Sequence, residues 1–271
     1  MELPQQPAAR PGVLALPPSA LQVLDRTFGI LALFSAETPT WTLSEVARSM
    51  HLKITTTHRI LQVLHQHGYL GRDETKRYRL GMAAFDLGVR ARRVIQGQGG
   101  TAVALRWLAS ATGETSFLLV PSHDRLYSVC IQREEGPQPL RLTIEIGRRL
   151  PIHAGAGQKV LLAFMTCEEQ ERVLGRGLER VGHKTVTDPA LLRVELRAIA
   201  ARGWSLTFEE SHDGTWGVAT ALLHPTGTIA ACVGISGPIL RYSKQRGEDC
   251  LRESKRAAKS IAEELGLKRL L

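Results

Sequence analysis

The chain has 271 residues, 43% of them hydrophobic, and a formal net charge of +9, with a pI near 9.8. That length favours two domains over one, and the hydrophobic share is ample for packed cores. No apolar run approaches the roughly 20 residues that a bilayer-spanning helix needs. The four cysteines (Cys130, Cys167, Cys232 and Cys250) show no CxxC or Cys/His spacing, which argues against a zinc site and suits reduced core residues in a cytoplasm. The basic balance points to a polyanionic partner. It is concentrated early: from Leu21 to Arg93 there are eleven Lys/Arg against six Asp/Glu, an excess of five within a total of +9.

Residues 1–19 are rich in proline, lack the basic start and apolar core of a signal peptide, and read as a flexible arm. Leu21 to Phe34 reads as a first helix with Leu24, Phe28, Leu31 and Leu33 among its apolar positions, followed by a loop broken by Pro39. Thr42 is a good N-cap for a short helix carrying Leu43, Val46 and Ala47. Met50, His51 and Leu52 make a turn, and a second helix carries Ile54, Ile60, Leu61 and Leu64. Its first turn crowds together Lys53, Thr55, Thr56, Thr57, His58 and Arg59. β-Branching makes a run of threonines a poor choice for helix stability alone. In a DNA groove the same side chains can bond base or phosphate and touch a thymine methyl. Two helices by themselves also fit an ordinary αα-hairpin with a polar end. The residues after them favour the sharper reading. Gly68 closes the helix as a glycine just past a C-terminus should. Tyr69 to Gly81 then reads as strand, turn, strand with Arg72, Lys76, Arg77 and Arg79 along it, the order of a winged helix-turn-helix.

Gly81 to about Ile95 reads as a linker helix whose Arg90, Arg92 and Arg93 form either a solvated basic face or a phosphate-facing or dimer-pairing one. Gln96 to Gly100 breaks it at a hinge, with neither the preceding strand nor the GK[ST] of a phosphate loop. Beyond it come a helix over Thr101–Thr112, a hairpin around Ser122-His123-Asp124, and an alternating strand over Leu140–Ile146. Leu150 to Ala163 reads as strand, small-residue loop and helix, where a ligand can approach backbone amides at a helix start and the dipole favours an anion. Thr166 with Glu169 marks a capping box, and Asp188-Pro189 opens a helix that ends at Gly203. Trp204–Phe208, a hairpin around Pro225-Thr226-Gly227 and a long amphipathic helix over Gln245–Leu265 complete a mixed α+β half with an antiparallel-rich sheet.

The stretch from Leu43 to Gly81, with Ala20 to Leu24 before it, resembles the DNA-binding domain of the IclR family of bacterial transcriptional regulators. Three later segments, LPIHAGAGQKVLLAF, RGWSLTFEE and AACVGISGP, resemble signature segments of that family's effector-binding domain. The resemblance spans nearly everything after residue 20. It implies an α+β architecture: a winged helix-turn-helix over 20–81, a linker helix and hinge over 82–100, and a GAF-like effector-binding domain over 101–271. It also implies double-stranded operator DNA and a small-molecule effector as partners, and a homodimer or dimer of dimers, with neither cofactor nor metal. By position in the family pattern, the pocket would be lined by Ala156, Gly157, Thr207, Gly217, Gly234 and Ser236, with Leu140 and Leu142 as an apolar wall. Acid-sensing members carry an acidic residue at Thr207, a cysteine at Gly217 and a serine at Gly234. Two glycines in place of side chains enlarge the pocket and make it less polar, which favours an aromatic or otherwise bulky organic acid. Gln158 stands where the family usually has glycine, so the anion-binding loop differs.

On the DNA side, Thr55, Thr56, Thr57 and His58 are candidates for reading bases. Lys53, Arg59, Arg72, Lys76, Arg77 and Arg79 complete the candidate DNA-binding set, Arg59 and the wing cations mainly for phosphate. Two other functions compete with a ligand-responsive regulator. A DNA-tethered enzyme would need Cys130, Cys232 or Ser236 as nucleophile and His153, His212 or His224 as base, but no nucleophile signature surrounds them. A purely architectural DNA binder would leave the second half without a role.

Overall fold

The computed structural model describes residues 21–35, 38–96, 99–142 and 144–268, of which 92–96 by backbone alone. The expected N-terminal arm (1–19) and hinge residues 97 and 98 lie outside the described residues. The chain divides into two compact units, residues 1–92 and 93–271.

The first unit contains α1 (Gln22–Leu31), α2 (Leu43–Ser49), α3 (Ile54–Gln66) and the hairpin of β1 (Leu70–Arg72) and β2 (Tyr78–Leu80); α4 (Met82–Gln96) comes directly after. Helix α1 stops at Leu31, three residues short of the expected end, and Leu33 and Phe34 turn into the core. The start of α2 is set by a complete capping box: Glu45 N donates to the Thr42 hydroxyl, and Thr42 N donates to the Glu45 carboxylate at 2.7 Å. Ile30, Val46, Ile60, Leu61, Leu64, Leu70 and Tyr78 share one core, so the helices and the hairpin bury against each other. Trp41 adds a bridge to Tyr78, with reciprocal backbone bonds of 2.9 and 2.7 Å.

The second unit is built on a six-stranded antiparallel sheet in the order β5-β4-β3-β8-β7-β6. Its strands are β3 (Thr115–Pro121), β4 (Tyr127–Glu134), β5 (Arg149–Pro151), β6 (Trp204–Phe208), β7 (Thr215–Leu223) and β8 (Ile229–Pro238). Helices α5 (Gly100–Thr112) and α9 (Lys244–Leu265) cover one face through Leu105, Leu108, Ala258 and Ile261 against Leu118, Val218, Val233 and Ile235. Helices α6 (Ala156–Ala163), α7 (Cys167–Leu174) and α8 (Pro189–Arg202) share the other core, with Val160, Leu161, Val173 and Leu196 beside Phe117, Leu119, Ala219 and Cys232. Every residue of β7 is buried, as expected of a strand covered on both faces. The ends of this unit are fastened by Glu114, fully buried, whose carboxylate accepts from Arg241 (2.5 Å) and Arg246 (2.9 Å).

One expected strand does not form. Leu140–Ile146 alternates like a strand, yet no described residue of it joins the sheet. Its carbonyls are taken by side chains instead. Thr115 Oγ1 donates to Leu142 O (2.6 Å), Arg241 Nη1 to Leu140 O (2.8 Å) and Arg133 Nη1 to Ile144 O (2.5 Å). With those acceptors satisfied, the segment needs no ladder partner.

Candidate functional site

The first unit presents a helix and a hairpin rich in cations. Apolar residues at Ile60, Leu61 and Leu64 bury one side of α3 and leave Lys53, Thr55, His58 and Arg59 exposed, with Thr56 half-buried. Thr57 is corrected by its geometry. It is fully buried and its hydroxyl donates to Lys53 O at 3.1 Å, so it packs the core rather than facing a groove. The threonine run is thus split by the helical period: Thr55 outward, Thr57 inward. Gln62 lies on the same exposed side, one turn beyond His58 and Arg59; the sequence reading passed over it, although its spacing was available.

In the hairpin, Asp73 organises the turn by accepting from Thr75 Oγ1 (2.7 Å) and Arg77 N (2.9 Å); the Thr75 hydroxyl is the larger influence holding its carboxyl below the usual range. Arg72 lies over the Tyr78 ring, 5.3 Å from its centroid, and Lys76 and Arg79 are exposed. Arg77 is the half-buried cation of the hairpin. Its guanidinium pairs with Glu45 at 3.0 Å and donates to Thr40 Oγ1 at 2.9 Å. It clamps the hairpin to the cap of α2, which gives it a structural role.

The second unit contains a narrow cavity of about 40 Å³. It opens beside the N-terminus of α6. Leu142, Ala156, Gly157, Thr207, Gly217 and Ser236 line it. The register explains their meeting: Thr207 pairs with Gly217 and Gly217 with Ser236, so three adjacent strands place them side by side. The Ser236 hydroxyl is engaged by Trp216 O at 2.9 Å. Two expected liners are elsewhere. Leu140 is 61% exposed and outside the cavity. Gly234 sits deep in β8, where a Cβ would lie 2.2 Å from Val218 O and 2.8 Å from the Ala219 Cα, so its missing side chain admits the neighbouring strand rather than a ligand.

The loop before α6 is held from below. Gly155 adopts φ 115°, ψ 167°, a conformation open only to glycine. Its N–H donates to Glu210 at 3.3 Å. Lys159, one turn into α6 and fully buried, donates to Glu210 (2.6 Å) and to Glu195 of α8 (2.5 Å). Burial raises the Glu210 carboxyl above its usual value, and the Lys159 charge only partly opposes this. The sequence reading missed this triad, because its members come from α6, α8 and the loop after β6. It also missed Arg148, and it named Gln158 and His212 without placing them among the liners. His153 is not among the liners: it is buried, its Nε2 lies 2.8 Å from Glu179 O, and burial lowers its pKa, the pattern of a structural histidine.

Comparison with known proteins matches both units. Residues 23–74 match the IclR helix-turn-helix domain and residues 100–263 match the C-terminal domain described as bacterial transcriptional regulator IclR. The HTH-type transcriptional regulator KdgR of Escherichia coli K12 is 29% identical, over 92% of this chain and 94% of its own. The HTH-type transcriptional regulator BhcR of Paracoccus denitrificans is 32% identical, over 89% of this chain and 86% of its own. A solved IclR homologue of Microbacterium hydrocarbonoxydans, in complex with 4-hydroxybenzoate, shares the fold with a TM-score of 0.75 at 24% identity, over 90% of this chain and 99% of that one.

Proposed function

Because the chain belongs to the IclR family of DNA-binding transcriptional regulators, we propose that α3 and the β1–β2 wing bind operator DNA while an organic acid in the second unit's cavity tunes that binding. The observation that carries the first half is the exposed set Lys53, Thr55, His58, Arg59, Arg72, Lys76 and Arg79, gathered on one helix and one hairpin of a helix-turn-helix unit. Thr55, Thr56 and His58 read base edges, joined by Gln62, whose amide can bond adenine on two atoms. The cations hold phosphates and fix the register. Thr57 and Arg77 support the module from within.

The functional parts run as 20–81 for the winged helix-turn-helix, 82–100 for the linker, and 101–271 for a GAF-like effector-binding domain. The relative bound to 4-hydroxybenzoate supports an aromatic acid as effector, and Phe117, Leu119, Leu142 and Ile144 give the cavity an apolar wall for a ring. The chain works as a homodimer or dimer of dimers on two-fold-symmetric sites. A cytoplasmic location fits this role, and among the described residues no helix is long and apolar enough to cross a membrane. Catalysis is disfavoured by the state of the nucleophiles. Burial pushes the Cys130 thiol up to about 11 and the fully buried Cys232 thiol further still, which keeps both from forming the reactive thiolate.

Arg59→Ala tests the DNA assignment. Measured by fluorescence anisotropy over a salt series, it is expected to weaken binding to specific and non-specific DNA alike and to reduce the log–log salt slope by about 1. An unchanged slope removes Arg59 from the phosphate contacts.

A further inference from the structure

Four side chains able to carry charge line the effector cavity, and they fall into two classes. The acids are occupied. Glu209 accepts from Lys184 Nζ (2.7 Å) and Gly214 N (3.1 Å). Glu210 accepts from Lys159 Nζ and Gly155 N. The basic pair is not. Among the described residues, neither the Arg148 guanidinium nor the His212 imidazole makes a hydrogen bond or an ion pair, and His212 Nδ1 is shielded from solvent with no partner. Such an orphan is costly unless something fills it.

Both side chains are borne on fixed backbone. Arg148 stands in the turn before β5, with its carbonyl accepting from Cys130 N (3.3 Å) and its N–H donating to Glu145 O (3.2 Å). His212 stands in the loop between β6 and β7, where Thr215 Oγ1 donates to its carbonyl at 2.6 Å. The two are neighbours: after burial, the nearby Arg148 charge is the next cause lowering the His212 pKa. The lowered pKa favours the neutral imidazole, so the two offer an anion one guanidinium charge and one ring N–H side by side.

We propose that Arg148 and His212 form the anchor for the effector's carboxylate. The inference rests on the effector-binding role proposed above and names the chemistry of its ligand. The guanidinium donates two N–H bonds to the carboxylate in its planar fork, the imidazole donates from Nδ1, and the apolar wall takes the rest of the molecule. The ligand class is therefore a monocarboxylate with an apolar body. A neutral analogue loses the anchor, because an amide offers one acceptor oxygen and no charge.

The test is calorimetric titration of the full chain with 4-hydroxybenzoate, benzoate and pyruvate, and with the corresponding neutral amides. The variants are Arg148→Gln, Arg148→Lys and His212→Ala. Arg148 has no partner to lose, so its variants are expected to keep the thermal midpoint of the wild type. The wild type is expected to prefer an acid over its amide. Arg148→Gln is expected to weaken that acid roughly 10–100-fold and leave the amide unchanged, with Arg148→Lys in between. If Arg148→Gln and His212→Ala bind the acid as tightly as the wild type, the anchor is elsewhere and the inference fails, while the effector role stands. If only amides bind, the carboxylate class is wrong for this cavity. If the wild type binds no acid and no amide, the effector role itself fails and takes the anchor with it.

Discussion

Replacing Lys159 by Met is expected to destabilise the second unit by about 3–5 kcal/mol, because it strands the buried Glu210 carboxylate without its cation. Lys159 is fully buried and its ammonium holds both Glu210 and Glu195. Glu195 is 44% exposed at its side chain and can turn to water; Glu210, at 10%, cannot. The loss also has a pH signature. Burial raises the folded-state pKa of Glu210 above the unperturbed 4.5. A raised carboxyl contributes stability that is present below the unfolded pKa and is lost as pH rises through the folded one. Without the Lys159 charge that pKa moves further up, so the window of loss widens upward. The deficit of Lys159→Met relative to the wild type is therefore expected to grow from acid to neutral pH. Urea unfolding of both proteins at several pH values measures it. A deficit that stays flat with pH would show that Glu210 does not titrate against Lys159. Since Glu210 also accepts from Gly155 N at the mouth of α6, the variant is expected to lose effector affinity with stability.

Gly234→Ala is expected to cost at least about 3 kcal/mol, more than an overpacked core methyl usually does, because the clash is with backbone. Gly234 pairs with Phe117 on one side and Ala219 on the other, in the middle of the sheet. An added Cβ meets Val218 O at 2.2 Å, and no side-chain rotation relieves that. Gly217 is the control. Its Cβ would stand 3.1 Å from Ile235 O and faces the cavity, so Gly217→Ala is expected to remain folded and to alter ligand affinity. Thermal unfolding of the two variants separates them. Equal and mild effects would mean that β7 can withdraw from Gly234.

The pair of glycines also shows what can be read from the chain alone. Resemblance puts both in the pocket, and one-dimensional pattern has no means to tell them apart. The difference lies in how closely β7 approaches β8, a cross-strand quantity. Local chemistry is legible: the N-cap at Thr42, the capping box at Thr166 and the Asp188-Pro189 helix start form as expected, since each depends on residues within one turn. The threonine run is legible as a cluster from composition. Its division into outward Thr55 and inward Thr57 needs the helical period as well. Arg77 resembles its neighbours on the wing, and only its distant partners Thr40 and Glu45 make it structural. Leu140–Ile146 alternates convincingly, yet side chains from three other elements take its carbonyls. Arg148 and His212 belong to the same class of omission, being brought together by the loops around β5 and β6.

The most direct test of coupling between the two units is fluorescence anisotropy of the full chain on DNA from upstream of its own coding region, with and without a saturating acid identified by the titrations above. Tight, salt-dependent binding is expected, with an affinity that changes by a factor of about 5 or more when the cavity is filled, the usual lower range of coupling between two sites. No such change is expected in Arg148→Gln at the same acid concentration. Operator binding that stays the same with the cavity saturated would contradict a ligand-governed regulator, because the second unit would then bind its ligand without governing the first.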